Sequence, residues 1–238
     1  MLEYDGSGFA GWQQQARGRT VEAELKRALH EVTGKDHKVY AAGRTDAGAH
    51  AEGQVVNFQT DGRISPHRMV AALNARLPAD VAVLSAEAVP DDFHARYSAR
   101  WRRYRYRYLD RSSRAALERG RCWHVRGRLD ASAMAKAAVS LTGKHDWTSF
   151  CSASEPTGSR VREMRSARVE RRGDFVELEL VAEGFLRGLV RSIAGALAEV
   201  GLGRRPPEWV GEVLSARDRR QAAKTAPAGG LTLMEVVY

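Results

Sequence analysis

The chain has 238 residues, of which 43% are apolar and 28% charged, so it can bury one large core or two small ones and is not a disordered tail. Its 38 Lys and Arg outnumber 29 Asp and Glu, which gives a net charge of +9. Such a charge is typical of proteins that bind polyanions. Nucleic acid is the leading candidate partner, and anionic membranes or acidic proteins are the alternatives. Cys122 and Cys151 lack metal-type spacing and fit a reduced cytoplasm, and we expect no signal peptide, membrane span, metal site or phosphate-binding loop.

Hydrophobic periodicity and capping signals predict the elements of the first half of the chain. A short strand near Leu2–Tyr4 comes before a helix over Val21–Thr33, for which Thr20 is the N-cap and Gly34 the stop signal. The next elements are strands at 39–42 and 54–58, a helix at 66–77 and a strand at 81–89. This order, βαββαβ, is that of a ferredoxin-like unit.

The second half shows a similar order of elements. The predicted elements are strands at 101–109, 161–171, 175–182 and 231–237 and helices at 131–142, 185–200 and 209–214. We therefore expect an α+β protein with two ferredoxin-like (βαββαβ) halves, 1–98 and 99–238. The halves are expected to share an extended mixed or antiparallel sheet, with helices on one side and an active-site cleft between them. Long basic loops at 111–126 and 149–160 are expected to be functional or mobile.

One carboxylate, Asp46, lies in a basic, glycine-rich turn within the segment GRTDAGAH that begins at Gly43. Arg44 comes two residues before it, and an alternating strand pattern follows. The segment therefore predicts strand, turn and strand with Asp46 at the tip. Asp is also common in ordinary turns, because its side chain bonds to its own backbone, so the turn alone does not assign a chemical role.

The strand at 101–109 alternates arginine with tyrosine, which places the two residue types on opposite faces. Aromatic rings stack on exposed bases and guanidinium groups hold phosphates, a combination that RNA-binding proteins use. The alternative is a structural strand, with tyrosines in the core and arginines in solvent. The tyrosines are Tyr104, Tyr106 and Tyr108, and the arginines are Arg103, Arg105 and Arg107.

Arg187 and Arg191 are four residues apart in the predicted helix at 185–200, hence on one helical face. The surrounding sequence is apolar. A guanidinium on that face is able to pair with a carboxylate and keep it ionised, as a nucleophile or a base requires. The plainer interpretation is a solvated surface position.

Four motifs in the same order resemble the tRNA pseudouridine synthase A family. They are LEYDGSGFAGWQQQ at the start, GRTDAGAHAEGQVVNF at 43–58, VPDDFHARYSARWRRYRYRYL at 89–109 and GFLRGLVRSIAGALAEVG at 184–201. The resemblance covers nearly the whole chain. It implies a homodimer that converts uridine to pseudouridine in the anticodon stem-loop of tRNA without a cofactor, while the cysteines and the absence of a signal core already favour the cytoplasm.

The resemblance also implies roles for individual residues. The catalytic aspartate falls on Asp46, the arginine that pairs with it on Arg191 and the tyrosine that stacks on the substrate on Tyr104. Arg44 matches the residue implicated in displacing the target nucleotide. We also expect contacts to the substrate from three further residues, Arg103, Arg105 and His94.

Two departures from the family pattern are visible. Only Met1 and Leu2 come before Glu3, so either the reading frame begins further upstream or the first strand is short. Ala49 stands where a valine is usual, a small change in apolar volume.

Two other functions remain possible from the residues alone. A non-catalytic module with tandem RRM-like folds would show a similar arginine–tyrosine strand, but it has no need of a carboxylate among arginines, since a negative charge weakens phosphate binding. A phosphate-ester hydrolase that uses Asp46 would usually have a second carboxylate or metal ligands nearby.

Overall fold

The structure, a computed structural model, describes residues 1–152 and 158–238. The chain divides into two compact units, which are Met1–Arg100 with Thr232–Tyr238, and Trp101–Leu231. The sequence-based boundary followed residue 98, and it assigned the last strand to the second half, whereas here that strand lies in the first unit. Part of the predicted loop at 149–160 falls outside the described residues.

The first unit contains five strands and two helices from the first hundred residues, counted within the described part of the chain. They are β1 (Leu2–Tyr4), α1 (Val21–Thr33), β2 (Tyr40–Ala41), β3 (His50–Gln54), β4 (Val56–Asn57), α2 (Pro66–Asn74) and β5 (Val81–Val83). The second unit holds β6 (Trp101–Leu109), β7 (Trp123–His124), α3 (Ala131–Ala138), β8 (Gly143–Asp146), β9 (Val161–Arg172), β10 (Phe175–Ala182), α4 (Leu189–Gly201) and α5 (Trp209–Ala216). The last strand, β11 (Leu231–Val237), pairs with β3 of the first unit.

Helix α1 has the predicted bounds, and its ends show why. The Thr20 hydroxyl accepts a hydrogen bond from the Ala23 amide at 3.4 Å, and Gly34 ends the helix with φ +69°, a left-handed conformation that suits glycine. The buried side of the helix carries Val21, Leu25, Ala28 and Leu29. Local signals therefore define this element completely.

The strands of the first unit lie in the order β5-β1-β3-β11. Strand β1 is antiparallel to both of its neighbours, and β11 is parallel to β3, with Thr232 opposite His50. Strand β2 pairs with β4 in a separate ribbon. The predicted strand at 54–58 is therefore wrong in its bounds. Regular strand structure is interrupted at Val55, and the strands on its two sides belong to different sheets.

Helix α2 ends at Asn74 rather than at residue 77, and β5 ends at Val83 rather than at 89. One side chain, that of Asn74, accounts for part of the second difference. The Asn74 amide donates to the Val83 carbonyl at 2.8 Å and accepts from the Val83 amide at 2.7 Å, as a neighbouring strand would. The side chain thus replaces a sheet partner at Val83, where regular pairing stops.

The strands of the second unit lie in the order β6-β10-β9-β8, antiparallel throughout, while β7 pairs in parallel with β6. Strand β6 has the predicted bounds, since its alternation of tyrosine and arginine matches the period of a strand. Strands β7 and β8 were not predicted, because they are short and lack an alternating apolar pattern.

Helix α4 begins at Leu189, four residues later than predicted. Gly188 comes directly before it with φ +74°, a left-handed conformation that a right-handed helix cannot include. Arg187 is therefore outside the helix, and the prediction that Arg187 and Arg191 share a helical face is wrong.

The described residues form a mixed α+β structure with five helices and a large mixed sheet. None of these helices combines the length and the apolar character that crossing a membrane requires.

A buried carboxylate connects three segments of the second unit. The Asp110 side chain is fully buried, accepts two hydrogen bonds from the Arg171 guanidinium at 2.8 and 3.1 Å and accepts one from the Leu129 amide at 2.9 Å. Burial raises the pKa of Asp110, but the Arg171 guanidinium and the Leu129 amide outweigh burial and hold that pKa below its ordinary value. The carboxylate is therefore bound in its ionised form.

We predict that Asp110→Ala lowers the free energy of unfolding by about 3 kcal/mol, because it leaves the Arg171 guanidinium without its buried partner. Asp110 has a lowered folded-state pKa, so its contribution is present above the unfolded-state pKa and is lost as the pH falls through the folded-state pKa. The free energies of unfolding of Asp110→Asn and wild type, measured with urea, should therefore converge as the pH is lowered. Asp174→Ala is the control, since that half-exposed carboxylate meets Arg111 only at 3.5 Å and should cost less than about 1 kcal/mol. Equal losses in both variants would contradict the prediction.

Candidate active site

Asp46 lies in the connection between β2 and β3, and its side chain is partly exposed. The turn itself is at Ala47 and Gly48, where Gly48 has φ +81°. The predicted turn is present, but its flanking strands belong to different sheets, so Asp46 is not at the tip of a hairpin.

Residues 2–15, which we call the opening segment, hold the backbone on both sides of Asp46. The Trp12 amide donates to the Thr45 carbonyl at 3.1 Å, and the Gly48 amide donates to the Phe9 carbonyl at 3.2 Å. Within the loop, the Ala49 amide donates to the Asp46 carbonyl at 3.0 Å. The backbone of the loop is thereby fixed before any substrate binds.

Two glycines allow this close approach. A Cβ atom at Gly11, where φ is +104°, would lie 3.0 Å from the Thr45 carbonyl oxygen and 3.2 Å from the Ala47 nitrogen. A Cβ at Gly6 would lie 1.8 Å from the Ala49 carbonyl oxygen. Any side chain at either position would push the loop away from the opening segment.

A buried polar group supports the loop from beneath. The Tyr4 hydroxyl lies 2.7 Å from the Thr45 hydroxyl, and the Gln54 amide donates to the Gly43 carbonyl at 2.7 Å and to the Tyr4 hydroxyl at 3.4 Å. Burial raises the pKa of Tyr4 to about 12, against the opposing effect of its two hydrogen bonds. Tyr4 is therefore a neutral phenol at neutral pH, and it adds no charge to the support of the Asp46 loop.

Arg44 and His94 are the other predicted site residues of the first unit. Arg44 is exposed on the same loop as Asp46. His94 is half-buried between two aromatic rings, with ring centroids 4.7 Å from Tyr40 and 4.4 Å from Tyr97. The structure thus places Arg44 beside the candidate catalytic residue and His94 in an aromatic cluster that the sequence did not reveal.

The tyrosines of β6 face the core of the second unit. Tyr106 and Tyr108 are fully buried, and their hydroxyls donate to the carbonyls of Pro227 at 2.7 Å and of Ala194 at 2.9 Å. These two rings are structural. Tyr104 is 6% exposed and meets Phe185 edge-on at 4.8 Å between ring centroids.

The arginines of β6 lie on the opposite face, among carboxylates of β10. Glu179 is opposite Arg105 in register, and it pairs with Arg103 at 3.4 Å. Arg107 pairs with Glu118 at 2.7 Å and lies over the Phe175 ring at 4.0 Å. The basic face therefore carries acidic partners of its own. Arg103 and Arg105 are on the face opposite to Tyr104.

Arg191 is half-buried on the first turn of α4, where neighbouring backbone fixes it. Its Nε donates to the Ala226 carbonyl at 2.8 Å, and the Ala226 amide donates to the Arg191 carbonyl at 3.0 Å. Gly195 permits this approach, since a Cβ there would lie 2.0 Å from the Lys224 carbonyl oxygen. The position of the guanidinium is thus set by the segment 224–226.

The seven predicted site residues divide between the two units. Asp46, Arg44 and His94 are in the first, and Tyr104, Arg103, Arg105 and Arg191 are in the second. Sequence reasoning missed the residues that hold the Asp46 loop, namely Tyr4, Gly6, Gly11 and Gln54. The signal available for them was the glycine-rich opening LEYDGSGFAGW, whose glycines mark places where backbone approaches closely.

Known proteins resemble this chain along its length. The family model described as tRNA pseudouridine synthase matches residues 1–98 and 137–238. A protein of Moorella thermoacetica named tRNA pseudouridine synthase A is 46% identical over 100% of this chain and 97% of its own. Proteins of the same name from Halalkalibacterium halodurans and Shewanella sediminis are 45% and 41% identical, over 97% and 100% of this chain and 88% and 91% of their own.

These matches confirm the resemblance seen in the four sequence motifs. Agreement at this level over the full chain, in relatives that are themselves of similar length, leaves no large segment outside the likeness. The chain belongs to the tRNA pseudouridine synthase family, a family of isomerases.

Proposed function

We propose that this protein converts uridine to pseudouridine in tRNA. The observation that carries the proposal is the full-length likeness to proteins named tRNA pseudouridine synthase A, at 46% identity for one of them. The rigid loop around Asp46 supports it, because a catalytic carboxylate works best when its position is set in advance.

The reaction is an isomerisation within one nucleotide. The bond between C1′ of the ribose and N1 of the uracil breaks, and a bond between C1′ and C5 forms. C5 loses a proton and N1 gains one, so nothing is oxidised and nothing is hydrolysed overall. The chemistry requires an ionised carboxylate beside the sugar and the base, and a pocket that retains the detached uracil. Asp46 supplies the carboxylate in this proposal.

The other site residues take roles that follow from the family likeness. Tyr104 stacks on the uracil, Arg191 keeps Asp46 ionised, and Arg44 displaces the target nucleotide from its stack. Arg103, Arg105 and His94 contact the RNA. The fixed backbone around Arg191 supports its role, since a guanidinium held at one point favours a single partner geometry.

The finer features of the proposal come from the family resemblance. They are a target in the anticodon stem-loop, action as a homodimer and a place in the cytoplasm. We also propose that the two units are ferredoxin-like halves with a boundary near residue 98. The order of β1, α1, β2, β3, α2 and β5 along the chain supports this arrangement for the first unit, although β2 pairs with β4 in the separate ribbon.

We predict that Asp46→Asn abolishes pseudouridine formation while tRNA binding persists or tightens, because the variant loses a reactive carboxylate and one negative charge near the RNA. Tritium release from tRNA labelled at C5 of uridine measures the reaction, and filter binding measures affinity. The control is Asp36→Asn, whose side chain is 98% exposed and which should retain wild-type activity. Substantial turnover by Asp46→Asn would remove Asp46 from the chemistry, and an inactive wild type that still binds RNA would favour a binding module.

Gly11→Ala should lower kcat measurably, because a Cβ 3.0 Å from the Thr45 carbonyl oxygen makes the Asp46 loop shift by a few tenths of an ångström and the backbone at φ +104° is strained by any side chain. Gly34→Ala is the matched control, since Gly34 also has a positive φ, +69°, but a Cβ there would meet nothing within 4 Å. Both variants should lose some thermal stability, whereas only Gly11→Ala should lose catalysis in the folded state. Similar kcat values for the two variants would mean that the close approach does not position Asp46.

The affinity for tRNA should fall steeply with added salt, because a net charge of +9 suits a protein that displaces counterions from phosphates. Each neutralised phosphate contributes about −0.9 to the slope of log affinity against log salt on duplex DNA and about −0.7 on single strands, so several contacts give a slope of several units. Filter binding between about 50 and about 200 mM KCl measures this slope. A flat response would show that the charge serves solubility alone.

A further inference from the structure

The first unit carries an aromatic cluster in which His94 alone has a role in the proposed function. Three rings, Tyr40, His94 and Tyr97, contact one another in series, with His94 in the middle. The centroid distances are 4.7 and 4.4 Å, and the ring planes are tilted against each other by 51° and 39°. Tyr97 is 75% exposed. Among the described residues, the other large hydrophobic side chains with high exposure are all aliphatic. An exposed ring of this size at the end of a stack offers a face to a ligand.

Cations lie at both ends of this series, which we call the aromatic stack. The Lys38 ammonium lies 5.0 Å from the Tyr40 ring centroid, and the Arg96 guanidinium carbon lies 5.5 Å from that of Tyr97. Lys38 is itself exposed. Aromatic faces flanked by cations suit a nucleotide, since the rings stack on its base and the cations attract its phosphate.

The segment that bears His94 and Tyr97 is held rigidly. The amides of Arg96 and Tyr97 donate to Nδ1 of His94 at 3.1 and 3.4 Å, which makes Nδ1 an acceptor and fixes the plane of the imidazole. The His94 amide donates to the Ser98 hydroxyl at 3.0 Å, and the Ser98 amide donates back to the His94 carbonyl at 2.9 Å. These bonds close the chain into a compact turn.

Further contacts attach this turn to the rest of the first unit. The Asn57 side chain accepts from the Ala95 amide at 2.9 Å and donates to the Phe93 carbonyl at 3.3 Å. The Tyr238 hydroxyl donates to the Ala95 carbonyl at 2.8 Å. A stack on such a support loses little conformational freedom when it binds, which favours affinity.

We propose that the aromatic stack is a docking surface for a nucleobase of the substrate RNA, with Tyr97 against the base and Lys38 near a phosphate. The proposal rests on the proposed function for the identity of the RNA. It assigns to His94 a supporting place within the stack instead of a separate contact. An unpaired base in a loop fits this surface, because a base within a duplex has both faces covered by its neighbours.

The test measures tRNA affinity in an Asp46→Asn background, so that no reaction occurs during binding. Tyr97→Phe keeps the aromatic face and should bind like the parent. Tyr97→Leu and Tyr97→Ala lose that face and should bind about tenfold more weakly, the usual scale for loss of one base–aromatic stack. Val139→Ala is the control, since it removes another exposed apolar side chain, 72% exposed, from the second unit. Equal affinity for Tyr97→Phe, Tyr97→Leu and Tyr97→Ala would overturn the proposal.

Two further measurements separate the remaining explanations. Lys38→Ala should make the salt slope of binding shallower by about one unit, as expected for one lost phosphate contact. Sedimentation velocity of each variant tests whether the surface contacts a second copy of this chain, and a change in oligomeric state on Tyr97→Ala would overturn the proposal. If the wild type makes no pseudouridine but Tyr97→Ala still weakens tRNA binding, the docking surface stands and the proposed function fails.

Discussion

The geometry around Asp46 depends on one close approach of two backbone segments. The opening segment and the Asp46 loop come so near that a Cβ atom at Gly6 would overlap the Ala49 carbonyl oxygen and one at Gly11 would lie only 3.0 Å from the Thr45 carbonyl oxygen. The hydrogen bonds to Thr45 and from Gly48 exist only because this approach is possible. These bonds hold the backbone of the loop at positions that belong to no helix or strand.

In the second unit, strand β6 separates its tyrosines and arginines onto two faces. The strand places tyrosines in the core, where the hydroxyls of Tyr106 and Tyr108 donate to backbone carbonyls, and arginines on the outer face beside glutamates. A basic strand in a basic protein is thus largely balanced within its own unit. The exposed cations Arg44 and Lys38 add positive charge for RNA outside this strand.

Local patterns predicted the elements whose causes are local. The alternation of Trp101–Leu109 and the two caps of Val21–Thr33 determine those bounds, whereas the start of α4 depends on the left-handed conformation of Gly188, which the apolar pattern does not encode. Asp46 was visible as a carboxylate in a glycine-rich turn. The contacts that hold it come from residues far away in sequence, and the aromatic stack joins Tyr40 to His94, so neither has a periodic signal.

The pairing of β11 with β3 also bears on how the protein is made. Thr232 lies opposite His50, so the sheet of the first unit remains incomplete until nearly the whole chain has left the ribosome. During synthesis, β3 presents an unpaired edge while the entire second unit is translated. Such edges attract other strands, so nascent chains that stall before residue 231 are vulnerable to aggregation, and a long-range pairing of this kind slows folding.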